Sequence, residues 1–247
     1  MPMKLDKALV KAIFQDISDG QAEARAEKEA AYIGALLRTY RKGGAARILN
    51  VGCGLGRHDR GLRRLGHTVD SVDISPEFVR MAKSRNRGFE RFYGVGSMTS
   101  LPYEECTFDA VLCLFSTFNI PRDPQNANAL KEFHRVLKRG GLLIMDLQTK
   151  STTAGSRSIA VGNGIVKTVE SKIVGNYLVG KETVLKEGKD GLSDVAHEVS
   201  RERLYSRAEL ASLCRKNGFG ALRFYRAYTK RKLRTEDAQM LVVAEKC

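Results

Sequence analysis

Apolar and polar positions along the chain switch between two periods. Ala46 to Val51, Phe108 to Phe115 (FDAVLCLF) and Leu142 to Leu147 (LLIMDL) are short, nearly continuous apolar runs of strand length. Such runs fit strands buried on both faces. His67 to Asp73 and Arg91 to Val95 add two more strands. Between them the period is helical. A helix after Gly56 runs to about Leu65 and stops at Gly66, the next carries Phe78, Met81 and Ala82 on one face, and a third places Leu130, Phe133 and Leu137 at i, i+3, i+7 before Gly140-Gly141. Ser75-Pro76-Glu77 reads as a helix start, with serine as the cap and proline in the first helical position. Strands alternating with helices from 46 to 147 predict βαβ units and a parallel sheet.

The flanks differ. Residues 4 to 41 read as helical, with Leu9, Val10 and Ile13 and later Ala31, Ile33, Leu36 and Leu37 as apolar stripes ahead of the Gly43-Gly44 break. From Gly164 to Lys186 the chain is rich in Val, Ile, Thr and Tyr with glycines between, a pattern of added antiparallel strands. Ser206 to Glu209 spells a capping box, opening a helix through Leu210 and Leu213 to Gly218. Ala221 to Tyr228 and Gln239 to Ala244 read as two closing strands. The expected organisation is a helical cap at 1–45, a core at 46–150, an inserted β segment at 151–199, and a completion of the core sheet at 200–247.

Composition narrows the class. At 247 residues and 43% hydrophobic, the chain can bury one large core. MPMKLDKALVKAIFQDISDG is charged throughout and lacks a signal-type apolar block. No run approaches the roughly 20 apolar residues of a membrane span, so a cytoplasmic protein is expected. Cys53, Cys106, Cys113, Cys214 and Cys247 form no C-x-x-C pair, and His58, His67, His134 and His197 are scattered. Neither disulfides nor a metal site are expected. The formal net charge is +14. It is densest at Arg223, Arg226, Lys230, Arg231, Lys232 and Arg234, a patch that would attract nucleic acid or another anion. No recognised aromatic-interleaved RNA-binding motif accompanies it.

ILNVGCGLGRHD, Ile48 to Asp59, places three glycines in five positions between a buried strand and a helix. Such a turn lets backbone approach a ligand closely and offers free helix N–H groups to its anionic part. The spacing is G-x-G-x-G, with Arg57 where a dinucleotide fingerprint needs its third glycine. Asp73 ends the second strand, where a carboxylate can accept from both hydroxyls of a ribose.

ILNVGCGLGRH, VDIS, GSMTSLPY before FDAVLCLF, and HRVLKRGGLLIMDL occur in order and together resemble the class I S-adenosylmethionine-dependent methyltransferases of small-molecule type. The resemblance covers 46 to 147 and continues more weakly from Arg203 to Phe219. It implies an α/β fold, a Rossmann-like three-layer sandwich with a mostly parallel seven-stranded sheet plus the inserted antiparallel segment. It also implies S-adenosyl-L-methionine as cofactor. Gly52, Cys53, Gly54 and Gly56 would line the methionine moiety, Asp73 would bind the ribose, Ile74 and Met98 would flank the adenine, and Leu114 and Phe115 would face the sulfonium. Two positions depart from the family: Asn50 stands where an acid is usual, and Ser97 where an Asp often meets the adenine. Arg57 and His58 could compensate by approaching the methionine carboxylate.

Methyl transfer from a sulfonium needs chiefly orientation and desolvation, so a catalytic base is not obligatory. His134, His197 and Glu198 are the candidates by chemistry alone. Phe115 to Asn119 replaces the N/D-P-P-Y of nucleic-acid amino-methylating enzymes, and no Pro-Cys dipeptide is present. The expected reaction is therefore methylation of an N or O atom of a small molecule under the inserted strands, with the positive charge arguing for an anionic acceptor. An RNA methyltransferase and a noncatalytic S-adenosylmethionine-binding protein are the alternatives.

Overall fold

The computed structural model describes residues 20–41, 43–119, 123–162, 165–188 and 191–247. Helix α1 (Gly20–Tyr40) precedes the alternating series β1 (Arg47–Val51), α2 (Arg57–Arg64), β2 (Thr68–Asp73), α3 (Pro76–Arg85), β3 (Tyr93–Val95), β4 (Phe108–Cys113), α4 (Asp123–Val136) and β5 (Leu137–Gln148). After the inserted strands come α5 (Arg207–Lys216), β10 (Phe219–Arg226) and β11 (Gln239–Lys246). The expected helical residues 4–19, with Leu9, Val10 and Ile13, lie outside the described residues.

The seven strands form one sheet in the order β10-β11-β5-β4-β1-β2-β3. The five strands from β5 to β3 are parallel, and β11 lies antiparallel between β5 and β10. Successive residues of β4 enter opposite cores: Val111 and Cys113 pack with Leu130 and Phe133 of α4 and Leu210 of α5. Ala110 and Leu112 pack with Ile33 and Leu37 of α1 and Leu62 of α2. This double burial makes three layers and explains why the strands read as apolar runs rather than as alternation. No described helix is long and apolar enough to cross a membrane.

Ser75 caps α3 by accepting from Phe78 N, and Ser206 and Glu209 form the expected reciprocal box at α5. Two local readings differ. Helix α4 ends at Val136 rather than at the glycines, and Leu137 already pairs with Phe108 in the sheet. Gly140 and Gly141 instead form an irregularity within β5, Gly140 at φ +70° and Gly141 with only 2.8 Å between a would-be Cβ and Lys138 O. Strand β3 begins at Tyr93, because Glu90–Phe92 is wound into a short 3₁₀ turn.

The inserted strands β6 (Ser156–Gly162), β7 (Ile165–Val174), β8 (Tyr177–Gly188) and β9 (Gly191–Arg203) form a separate antiparallel sheet in sequence order. Strand β9 continues past residue 199 to Arg203, whose N–H reaches Asn119 O, and Thr149 bridges to Tyr205. Those bonds attach the insert at the C-terminal edge of the parallel strands.

Candidate cofactor and acceptor site

The glycine loop between β1 and α2 is held by its own backbone. Gly52 and Cys53 both donate to Val72 O, at 2.8 and 3.0 Å. Gly54 N donates to Asp73 Oδ2 and Ser75 N to Asp73 Oδ1, each at 2.9 Å. Burial pushes the Asp73 carboxyl above its ordinary value, against the pull of these backbone donors. Each carboxylate oxygen retains acceptor capacity after one such bond.

The three glycines have different reasons. A Cβ at Gly52 would strike the Thr117 methyl, and one at Gly56 would lie 2.6 Å from the Tyr93 hydroxyl and 2.9 Å from Asp59. Both are required by the protein's own packing. Gly54, at φ +52°, faces open space.

Asn50 has a partner the sequence reading did not identify. Its Nδ2 donates to Asp59 Oδ1 at 2.8 Å, and Ser71 Oγ donates to Asp59 Oδ2 at 2.8 Å. Asp59 is fully buried in the first turn of α2. It is favoured there by the helix N-terminus and by donors on both oxygens. Asp59 thus places a buried carboxylate beside position 50, and Asn50 is one of its donors. An acid in the first turn after the glycine loop was the available signal.

A cation and aromatic cluster closes the other side. The Arg57 guanidinium lies 3.6 Å from the centroid of Phe115, with Arg25 at 5.2 Å. His58 Nε2 and Glu29 Oε2 are 2.8 Å apart, both groups buried, and Arg25 Nε donates to Glu29 at 2.7 Å. Arg57 forms no ion pair among the described residues, and burial lowers its proton affinity. Phe115 and Ser116 both adopt left-handed backbone conformations, φ +56° and +55°. Asp146 holds this turn: its Oδ1 accepts from Ser116 N at 3.3 Å, while Oδ2 accepts from Tyr228 at 2.6 Å. Burial raises Asp146, and burial with the neighbouring carboxylates raises Tyr228, so that pair stays hydrogen-bonded. Asp146 was legible as the single acid in LLIMDL; Tyr228, on the turn after β10, had no sequence signal.

One cavity is lined by Asn50, Gly52, Cys53, Gly54, Arg57, Leu114 and Phe115, joined by Leu55 and His58. Asp73 reaches it through Gly54. Ile74 is exposed beside Asp73, as a surface for a flat ring would be. Ser97 Oγ is engaged in its own turn with Thr99, and Met98 packs on the core. Cys53 is held as a neutral thiol by burial and by Asp59 and Asp73. Among the described residues, no three His, Cys, Asp or Glu side chains are grouped as metal ligands.

The three candidate bases are not brought together. His134 packs against Gly218 and Phe219, at the end of α4 that leads into β5 and hence at the sheet edge opposite the glycine loop. His197 is exposed on β9 opposite Thr183, and Glu198 pairs in register with Glu182.

Residues 49–145 match the family model described as a methyltransferase domain. A ubiquinone biosynthesis O-methyltransferase from Xanthomonas axonopodis pv. citri is 35% identical over 119 residues, 47% of this chain and 48% of that protein. A demethylmenaquinone methyltransferase from Tropheryma whipplei is 33% identical over 98 residues, 40% of each chain. The chain thus matches about half the length of these curated relatives or less. An S-adenosylmethionine-dependent methyltransferase from Clostridium acetobutylicum superposes with a TM-score of 0.75 at 15% identity, covering 89% of this chain and 91% of that one. An amino pentose methyltransferase from Micromonospora echinaspora, solved with SAM bound, gives 0.72 at 21% identity over 99% of both chains. Residues 49–145 thus carry a methyltransferase domain, and over about nine-tenths of its length or more the chain shares the fold of S-adenosylmethionine-dependent methyltransferases of known structure.

Proposed function

We propose that the protein binds S-adenosyl-L-methionine in the glycine-loop cavity and transfers its methyl group to an N or O atom of a small molecule held beneath the inserted sheet. The observation that carries this reading is the Gly54–Asp73 pair: an open glycine bonded to a buried carboxylate at the end of β2. The donor set suits the cofactor. Asp73 offers acceptors to a ribose diol, Ile74 offers a flat apolar surface, and Arg57 is a half-buried guanidinium with no ion pair among the described residues, matched to an amino-acid carboxylate. When bound, the cofactor supplies a methyl group on an already activated leaving group. The protein's part is to orient the partners and exclude water. Asn50, Asp59 and Ser71 fix the loop from below, and Asp146 fixes the Phe115–Ser116 turn beside it.

The RNA alternative rests on the basic patch, part of which is already engaged. Arg226 pairs with Asp237, Arg234 with Glu236, and Arg223 lies over Tyr40. Calorimetry with S-adenosylhomocysteine tests the cofactor reading. Saturable binding is expected, and a folded protein that binds none would refute it. For the RNA alternative, changing Lys230, Arg231 and Lys232 to Glu is expected to remove only salt-sensitive, nonspecific RNA binding. Selective methylation of one RNA, lost in that triple variant, would overturn the small-molecule reading.

A further inference from the structure

A cavity of about 370 Å³ opens where the end of β5, the start of α5 and the loop leading into β11 meet. It shares no lining residue with the cofactor cavity. Its volume is at the lower end of small-molecule sites, ~300–1,000 Å³. Three cations, Lys150, Arg207 and Arg234, come to it from those three segments, and no acid lines it among the described residues.

The floor is apolar surface whose polar atoms are already used. Tyr205 is 3% exposed and its hydroxyl accepts from Asn126 Nδ2, Thr149 Oγ1 donates to Asp237 O at 2.6 Å, and Leu233 packs on the core. At the walls, Ser151 Oγ donates to Thr235 O, and Ser206 Oγ accepts from Glu209 N. Hydroxyls engaged in this way leave little for a neutral polyol to bond. What remains on offer is positive charge at the rim. Glu209 is shared by Lys150 and Arg203, so one carboxylate answers two cations. Arg207 lies over the Phe224 ring and has no carboxylate partner among the described residues. Arg234 is anchored through its backbone N–H on Asp237, while its side chain meets Glu236 only at 3.8 Å, both groups largely exposed. An exposed pair of that length contributes little and is readily exchanged for a better anion. Four cations thus stand against two carboxylates, an excess of two charges around an apolar floor.

We infer that this cavity binds an organic phosphate monoester, its dianionic head held by Lys150, Arg207 and Arg234 and a flat apolar body laid on Tyr205 and Leu233. The guanidinium forks match phosphate oxygens, and the ring and leucine side chain remove the body from water. The adjacent Lys230, Arg231 and Lys232 add to the local potential without lining the cavity.

Phenyl phosphate, benzoate and phenol share one ring and differ in head charge, and inorganic phosphate lacks the ring. Ligand-observed NMR titrations of the full chain at fixed ionic strength and about pH 7.5, above the second phosphate ionisation near ~6, separate the two parts of the site. Phenyl phosphate is expected to bind saturably, about tenfold or more tighter than phenol and about threefold or more tighter than benzoate or inorganic phosphate. Arg207→Glu should weaken phenyl phosphate about tenfold or more, and Arg207→Gln, which serves if the glutamate variant fails to fold, about threefold or more. Lys230→Glu with Lys232→Glu removes the same kind of charge outside the cavity and should change binding by less than about twofold, since salt screens it. Phenol or benzoate binding as tightly as phenyl phosphate, wild-type binding in folded Arg207 variants, or a loss as large in the distant double variant overturns the proposal. The cofactor reading is separately at stake: a wild type that binds phenyl phosphate as expected and no S-adenosylhomocysteine refutes that reading and leaves this one standing.

Discussion

The two sides of the proposed reaction centre are built on opposite plans. On the cofactor side, the polar groups of the loop are satisfied by the protein itself: Asp73 by Gly54 and Ser75, and Asp59 by Asn50 and Ser71. The strands beneath are buried on both faces. On the inserted side, Val184 is the one apolar side chain fully buried among the described residues of the four strands, while Ile173, Val174, Leu192 and Val199 face solvent. There Glu202 lines a cavity and lies against the buried Asn119 amide. On the proposed reading, the site is rigid where its ligand is constant and lightly packed where its acceptor is selected. Preorganisation lowers the cost of binding on the cofactor side.

The largest test of that contrast is mechanical. Phe133, fully buried between α4 and the sheet, should cost about 3–5 kcal/mol when changed to Ala. Val184→Ala in the insert should cost about 1–2 kcal/mol, since fewer methyl groups are lost. Urea denaturation measures both. A Val184 variant as damaging as Phe133→Ala would show the insert to be a second core rather than a wall.

Next in size is the Asn50–Asp59 pair. Asn50→Asp sets a second carboxylate against Asp59 across the present 2.8 Å bond, and should destabilise by about 2–4 kcal/mol. Adding Asp59→Asn restores one donor and one carboxylate and should recover much of the loss. If Asn50→Asp alone is neutral in urea denaturation, Asn50 is not the donor that Asp59 requires.

This pair marks how far the sequence could be read. The parallel core was legible because LNV, FDAVLCLF and LLIMDL are apolar without period, which only doubly buried strands tolerate. The turn starts were legible because Ser75 and Ser206 bond locally. Asn50 was visible as a departure, but its answer nine residues away was not, since a hydrogen bond between a strand end and the next helix leaves no periodic trace. Gly52 and Gly56 are also steric fits to Thr117 and Tyr93, a demand the sequence could not tell from ligand contact, because a close approach reads the same whichever atom makes it. His134, a plausible base by chemistry, lies at the wrong end of the sheet, since residue type carries no direction.

On the cofactor side itself, Asp73→Ala should weaken S-adenosylhomocysteine binding roughly ten- to a hundredfold, equivalent to ~1.4–2.7 kcal/mol. Part of that loss is indirect, because Gly54 and Ser75 lose their acceptor. Asp73→Asn keeps one acceptor oxygen and should fall between the two. Calorimetry that finds wild-type affinity in a folded Asp73→Ala would separate the loop from cofactor recognition and remove the contrast with the insert.

The smallest effect lies at the joint between the two regions, where Glu209 of α5 meets Lys150 from the end of β5 and Arg203 from the end of β9. Burial opposes ionisation there, but the bonds from Lys150, Ser206 and Arg203 prevail and hold the carboxyl down to about 2. A carboxylate with a depressed folded-state pKa stabilises the fold fully above its unfolded value near 4.5, and that contribution disappears as pH falls toward 2. Glu209→Gln keeps the capping geometry and removes only the charge. Because the group is about a third exposed, solvent screening limits its worth to under about 1 kcal/mol, or roughly 2–4 °C at most in melting temperature. Melting curves of the two proteins should differ by that margin at pH 7 and converge as pH drops from 4.5 to 2. A difference that persists unchanged at pH 2 would mean that the glutamate acts through its shape at the cap and not through its charge at the joint.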